Sequence, residues 1–269
     1  MTAPRVVLVT GGTHGIGRAT VEMLGRRGRR VVFSGRDAAA GAAVERAVPG
    51  SVHVGGDICD DAVVARLVGT ARDLGGGAIA GLVNCAGVGA RQAFAEATLA
   101  DWDRIFAINA RAAFAVTAAA HGGLVADGHG SVVFVSSVAG YGGEAGLAIY
   151  CASKAALIGL AKAMAVEIGD TVRVNVVCPG QVDTRMMART LADPAKKAAL
   201  EARIPNGRIA TPEEVAAAIV FLLSDEASYI NGVVIPIDGG EVAGLRDVPA
   251  TAAPAGRNEG PAAVSSTGH

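Results

Sequence analysis

Val6-Val7-Leu8-Val9-Thr10-Gly11-Gly12-Thr13-His14-Gly15-Ile16-Gly17 holds a strand, a turn and the start of a helix in one short stretch. Its β-branched opening favours extended backbone, and the glycines permit the sharp turn that follows. From Ile16 to Arg27 the apolar positions take the spacing of an amphipathic helix. A strand that feeds such a turn presents the first helical N–H groups to an anion, and the helix dipole favours negative charge there. The spacing Gly11-xxx-Gly15-x-Gly17 departs from the Gly-x-Gly-x-x-Gly form, so its place after the first strand carries the reading. Gly11, Thr13, His14, Gly15, Ile16 and Gly17 are the candidate contacts to a pyrophosphate.

Outward from this stretch the same alternation repeats. Arg5–Thr10, Arg30–Ser34, Ser51–Val54, Ile79–Asn84, Ser131–Ser136, Val172–Cys178 and Val233–Ile237 read as strands. Ile16–Arg27, Ala38–Ala47, Asp60–Leu74, Ala100–Ala119, Ile149–Ile168 and Thr211–Ser224 read as helices between them. Strand–helix alternation implies right-handed crossovers and a parallel sheet covered on both faces. The expectation is one α/β domain over residues 1–242, a Rossmann-type doubly wound parallel sheet of about seven strands. In such a sheet the functional residues stand at the carboxyl ends of strands. Residues 181–207 interrupt the alternation and read as a substrate lid or an ordinary surface connection. Residues 243–269, rich in Ala, Pro and Gly, read as a disordered tail.

Composition narrows the partners. Of the 269 residues 51% are hydrophobic and the formal net charge is −1, which suits a buried sheet and leaves no basic surplus for nucleic acid. The apolar run at the start is too short to span a membrane, and no export signal is read. Cys59, Cys85, Cys151 and Cys178 are scattered, without the spacing of a metal site or a disulfide framework, and suit a reducing cytoplasm.

Three later positions carry chemistry. The second strand runs into Gly35-Arg36-Asp37, about twenty residues after the glycines, where a dinucleotide fold reads the adenosine ribose. Arg36 would clamp a ribose 2′-phosphate. Asp37 is the rival, as acceptor of a free 2′-hydroxyl, yet its place before Ala38-Ala39-Ala40 also fits a helix N-cap. His14 offers the phosphate a weaker second donor. The reading favours NADP(H) over NAD(H).

Tyr150 and Lys154 stand one helical turn apart on one face. Reduction of a ketone needs a proton at oxygen as hydride reaches carbon, and a phenol near a cation supplies one. Ser137 closes the strand Ser131–Ser136, where a hydroxyl can hold the substrate oxygen and the charge that develops on it. Ser136 beside it points the other way and reads as structural. None of the five histidines serves as a hydrolase base, and no Gly-x-Ser-x-Gly elbow occurs.

Together these residues resemble the short-chain dehydrogenase/reductase family from Val6 to about Glu241. The resemblance implies that Asp57 and Ile58 flank the adenine ring. It implies that Asn84, Ala86 and Gly87 belong to the Asn-Asn-Ala-Gly element, with Cys85 in place of its second Asn. Asn109 matches the helix Asn whose backbone holds a water of the proton relay. Pro179, Gly180, Val182 and Thr184 match the loop at the nicotinamide ribose and carboxamide. By the same resemblance Tyr150 is the general acid/base, Lys154 holds the ribose and lowers the phenol pKa, and Ser137 polarises the substrate oxygen. It further implies a homotetramer, or a dimer, built on the helices Ala100–Ala119 and Ile149–Ile168.

The function expected is reduction of a small-molecule ketone, 3-oxoacyl, polyketide-like or cyclic, to a secondary alcohol. An NAD-linked secondary-alcohol dehydrogenase, a cofactor-binding protein without turnover, and an epimerase or dehydratase are the rivals. Val88-Gly89-Ala90-Arg91 lacks the Pro-Gly-Gly of aromatic polyketide ketoreductases. Glu144, Arg91, Gln92 and Arg185 are the polar candidates among apolar pocket walls.

Overall fold

The computed structural model describes residues 5–244. The expected tail, apart from its first two residues, lies outside the described residues. Seven strands form one sheet: β1 Val6–Thr10, β2 Arg30–Gly35, β3 Val52–Gly55, β4 Gly81–Asn84, β5 Gly130–Val135, β6 Val172–Pro179 and β7 Val234–Ile237. All neighbours are parallel, in the order β3-β2-β1-β4-β5-β6-β7. The order reverses between β1 and β4, which opens a crevice at the carboxyl ends of those strands. The helices are α1 Gly15–Arg26, α2 Ala38–Ala47, α3 Asp61–Leu74, α4 Leu99–Phe106, α5 Ala112–Asp127, α6 Val138–Gly142, α7 Ala148–Glu167, α8 Ala188–Leu191, α9 Pro194–Arg203 and α10 Pro212–Leu223.

The two-residue period of a strand sorts the core into two layers. Val6 and Leu8 of β1 join Leu67, Val116 and Leu157 under α3, α5 and α7. Val7 and Val9 join Val21, Val44 and Ile219 under α1, α2 and α10. The central strands are therefore largely apolar on both sides, and each fully buried Val or Leu contributes about 1.5–3 kcal/mol relative to exposure.

Three segments differ from the expected pattern. The helix expected over Ala100–Ala119 is α4, a wider π turn over Ala107–Arg111, and α5, which runs on to Asp127. Gly122 and Gly123 do not break it. A Cβ on Gly123 would stand 2.9 Å from Ile79 Cγ1, so this glycine serves close packing. The true stop is Gly128, at φ 78°, a left-handed C-terminal position. The segment 181–207 carries two helices, α8 and α9, the second started by Asp193, whose carboxylate accepts from Ala195 and Lys196 N–H, with Pro194 in its first turn. A short helix, α6, follows Ser137 and was absent from the sequence reading.

Among the described residues α7 alone is long and apolar enough to cross a membrane. It packs Leu157 and Ala161 against the sheet, and it carries Tyr150 and Lys154.

Candidate active site

The glycine turn is built for close approach. Gly11 and Gly15 have φ of 70° and 52°, left-handed values that favour glycine. A Cβ on Gly17 would stand 2.2 Å from the Gly11 carbonyl oxygen, so helix and turn meet only because Gly17 has none. His14 is the N-cap residue of α1, yet its side chain caps nothing, and no acidic residue sits in the first turn. By contrast, Asp37, Asp60 and Asp193 cap α2, α3 and α9. The α1 N-terminus thus has neither a side-chain cap nor an acidic neighbour in its first turn to oppose an anion at its positive dipole end. Thr184, from the loop after β6, lies against Gly15, with its Cγ2 3.1 Å from where a Cβ would be.

Thr10, not singled out from the sequence, ties β1 to β4. Its Oγ1 accepts from the N–H groups of Cys85 and Ala86 at 3.0 and 3.1 Å, which fixes the Asn84–Gly87 turn beside the glycines. Burial raises the Cys85 thiol to about 11, so it stays neutral. Asn84 donates to Thr117 Oγ1 at 2.9 Å.

At the ribose end Arg36 is exposed, and among the described residues it makes no hydrogen bond or ion pair. Asp37 accepts from Ala40 N–H at 3.0 Å, and that bond first holds its carboxyl below the usual range. Its other oxygen is 3.5 Å from His14 Nε2, and Arg185 Nη1 is 3.5 Å from the same nitrogen. Desolvation and then Arg185 lower the His14 pKa, so the ring is neutral near pH 7. Asp57 accepts from Cys59 N–H at 3.0 Å. Ile58 and Val182 turn their side chains into the core layers, and Ile16 packs against one of them.

Ser137, Tyr150 and Lys154 converge at the carboxyl end of β5. Ser137 caps α6, accepting from Ala139 N–H at 3.1 Å, and its hydroxyl neighbours the Tyr150 phenol, whose ionisation it favours. Lys154 Nζ donates to the Val135 carbonyl at 2.9 Å and lies 5.8 Å from the centroid of the Tyr150 ring. A Cβ on Gly87 would stand 3.2 Å from Lys154 Nζ and 3.3 Å from Asn109 Oδ1, so three elements meet at a bare glycine. Gly140 is needed for a similar reason, as its Cβ would stand 2.7 Å from Lys154 Cβ. Ser136 takes the structural part expected of it, donating to the Lys154 carbonyl at 2.8 Å.

Asn109 is fully buried in the π turn and spends its whole side chain on scaffolding. Its Oδ1 accepts from Val88 N–H at 2.8 Å, and its Nδ2 donates to Val88 O and Ser153 Oγ, each at 2.9 Å. A π turn departs from the regular i→i+4 ladder, a feature frequent at functional sites. Ser153, like Thr10, was missed in the sequence. Only a fold brings it to Asn109.

One electrostatic expectation is reversed in the protein alone. Loss of solvent pushes the Tyr150 phenol up to about 12, against the opposing Ser137 hydroxyl. The same cause lowers Lys154 to about 8. Desolvation is the largest cause at both groups, and Lys154 Nζ is turned to the Val135 carbonyl.

The chain is similar to known oxidoreductases in sequence and fold. A family model described as Enoyl-(Acyl carrier protein) reductase matches residues 11–241. The chain is 40% identical over 243 residues to L-xylulose reductase of Bos taurus, covering 90% of this chain and 98% of the relative. It is 39% identical over 228 residues to inactive 2-(S)-hydroxypropyl-CoM dehydrogenase 2 of Xanthobacter autotrophicus, covering 81% of this chain and 97% of that one. A solved structure titled short chain dehydrogenase/reductase family protein superimposes with a TM-score of 0.82 at 36% identity, over 90% of this chain and all of the other.

Proposed function

The chain belongs to the short-chain dehydrogenase/reductase family, and from that premise we propose an NADP(H)-dependent reductase that converts a ketone to a secondary alcohol. It is an oxidoreductase acting at CH–OH groups with a nicotinamide cofactor. The observation that carries the finer reading is the meeting of Ser137, Tyr150 and Lys154 beside the uncapped N-terminus of α1.

The glycine cradle, too tight for a Cβ at Gly17, fits a dinucleotide. Gly11 to Gly17 would hold its pyrophosphate, Arg36 the 2′-phosphate, and Asp57 and Ile58 the adenine. Asn84, Ala86, Gly87, Pro179, Gly180, Val182 and Thr184 would line the nicotinamide half, with Tyr150 and Lys154 at its ribose. When bound, the reduced nicotinamide supplies hydride to the carbonyl carbon. Ser137 donates a hydrogen bond to the ketone oxygen and stabilises its growing charge. Tyr150 gives its phenolic proton to that oxygen, which completes the alcohol. Lys154 stabilises the resulting phenolate, and the Asn109 backbone holds the water through which Tyr150 is reprotonated.

Arg36 supports NADP(H), because Asp37 is engaged as a cap while Arg36 makes no hydrogen bond or ion pair among the described residues. Fluorescence titration tests it. Arg36→Ala should weaken NADPH binding about 10- to 100-fold, the scale of a charge-assisted hydrogen bond, and leave NADH within about twofold. Unchanged NADPH affinity would move the reading to NAD, with Asp37 on the ribose. The xylulose-reducing relative makes a hydroxylated ketone a fitting substrate. A homotetramer or dimer is supported by the apolar α7, mostly outside the core, and by exposed Leu99 and Phe114. Four free cysteines support a cytoplasmic setting.

A further inference from the structure

A cavity of about 280 Å³ lies next to the Ser137 turn, lined in part by Val138, Ala139, Glu144, Gln181, Arg203 and Glu241. Val138 and Ala139 follow Ser137 directly, and Gln181 follows the Pro179-Gly180 end of β6. The cavity therefore adjoins the place where a ketone would be held.

Glu241 is its unusual member. The side chain is 5% exposed, and a carboxylate so buried persists only with partners. Arg203 Nη2 donates to its Oε1 at 2.8 Å, and Gln181 Nε2 lies 3.3 Å from both oxygens. An ionised carboxylate has about four acceptor positions. Its one short bond falls on Oε1, so Oε2 keeps spare acceptor capacity in the wall of a cavity. Burial raises the Glu241 carboxyl despite Arg203, and Glu144 and Asp238 add to the rise. A donor arriving from the cavity would satisfy the acceptor and favour its charged form.

The chemistry of that donor can be narrowed. Arg203 already balances the charge of Glu241, and Arg91 pairs with Glu144. A cationic ligand would leave surplus charge, whereas a hydroxyl adds none. A thioester carbonyl, with only acceptors to offer, would meet the carboxylate unfavourably.

We propose that Glu241, positioned by Arg203 and Gln181, is a specificity-determining residue that accepts a hydrogen bond from a second hydroxyl of the substrate. Hydroxyketones, and the diols they form, are then preferred over plain ketones and 3-oxoacyl thioesters. The inference rests on the oxidoreductase reading of Ser137, Tyr150 and Lys154. None of the three pocket residues takes part in that chemistry, which makes selectivity separable from turnover.

Matched alcohols test it: initial rates of oxidation of cyclohexanol, 1,2-cyclohexanediol and 1,4-cyclohexanediol, each with NADP and NAD. The wild type should favour at least one diol over cyclohexanol by about tenfold or more in kcat/KM, since a site built around an acceptor rejects the analogue lacking the donor. Glu241→Leu should erase that preference through KM and leave cyclohexanol within about twofold, which also shows the fold intact. Glu241→Gln keeps an amide oxygen and should retain part of the preference. A diol preference that survives in Glu241→Leu, or equal turnover of all three alcohols by the wild type, overturns the inference alone. Turnover of none of them with either cofactor overturns the oxidoreductase reading, and the inference with it.

Discussion

Two polar regions border the same crevice and are built in opposite ways. The seat of the Tyr–Lys pair is buried and neutral in its bonding. Asn109, Ser153, Ser136 and Lys154 bind one another or backbone groups at 2.8–2.9 Å, anchored to β5, α7 and the π turn. The substrate flank is made of charged pairs on longer side chains, Arg91 with Glu144 and Arg203 with Glu241, whose arginines are at least half exposed. Buried bonds to backbone fix geometry, and their loss leaves unsatisfied groups. The more exposed Arg91–Glu144 pair holds less energy and tolerates exchange. The difference teaches a division of labour: one region holds the reacting groups still, and the other can change substrate without unmaking the fold.

The largest effect should come from removing the proposed proton donor. Tyr150→Phe keeps the ring and loses only a phenol beside Ser137, so turnover of any ketone or alcohol substrate should fall about 10²- to 10⁴-fold with thermal stability nearly unchanged. Steady-state rates beside a melting curve would decide it. Turnover within tenfold of wild type would remove Tyr150 from the seat.

A smaller effect contrasts the two regions directly. Asn109→Ala strands Val88 N–H, Val88 O and Ser153 in a buried place, and should cost about 3 kcal/mol in denaturant unfolding. Arg91→Ala, which opens the pair with Glu144 at the surface, should cost about 0.5 kcal/mol or less. Equal losses would break the comparison.

How much of this was legible depended on the range of the interaction. The glycine turn announces itself because strand, glycines and helix are contiguous, and Tyr150 with Lys154 because a helical turn is a fixed offset. Asp37 could be read as a cap from its neighbours, and the Ala40 bond bears that out. The π turn at Asn109 left no mark, since its apolar spacing is that of any helix. The packing of Gly123 on Ile79 was not legible, because the two are over forty residues apart. Thr10, Ser153 and Glu241 act through bonds to distant segments. Their residue types alone do not distinguish them from dozens of surface neighbours.

The smallest predicted effect probes how dry the seat is. Burial lowers Lys154 from 10.5 to about 8, so its ammonium is costlier in the folded chain than in the unfolded one. Below pH 8 both states are protonated and the fold bears the full cost. As pH rises from 8 towards 10.5 the folded lysine is already neutral while the unfolded one still binds a proton, so stability climbs. Lys154→Met carries no such charge. Cys85, raised from 9.0 to about 11, works the other way, since above pH 9 the unfolded thiol loses its proton first and stability falls, but that loss is common to wild type and variant and cancels in their difference. The stability of wild type minus that of the variant should therefore increase by about 2 kcal/mol between pH 7.5 and 10, read from paired denaturant curves. A flat difference would mean that water reaches the lysine, and the contrast between a dry seat and a wet flank would fail at its central residue.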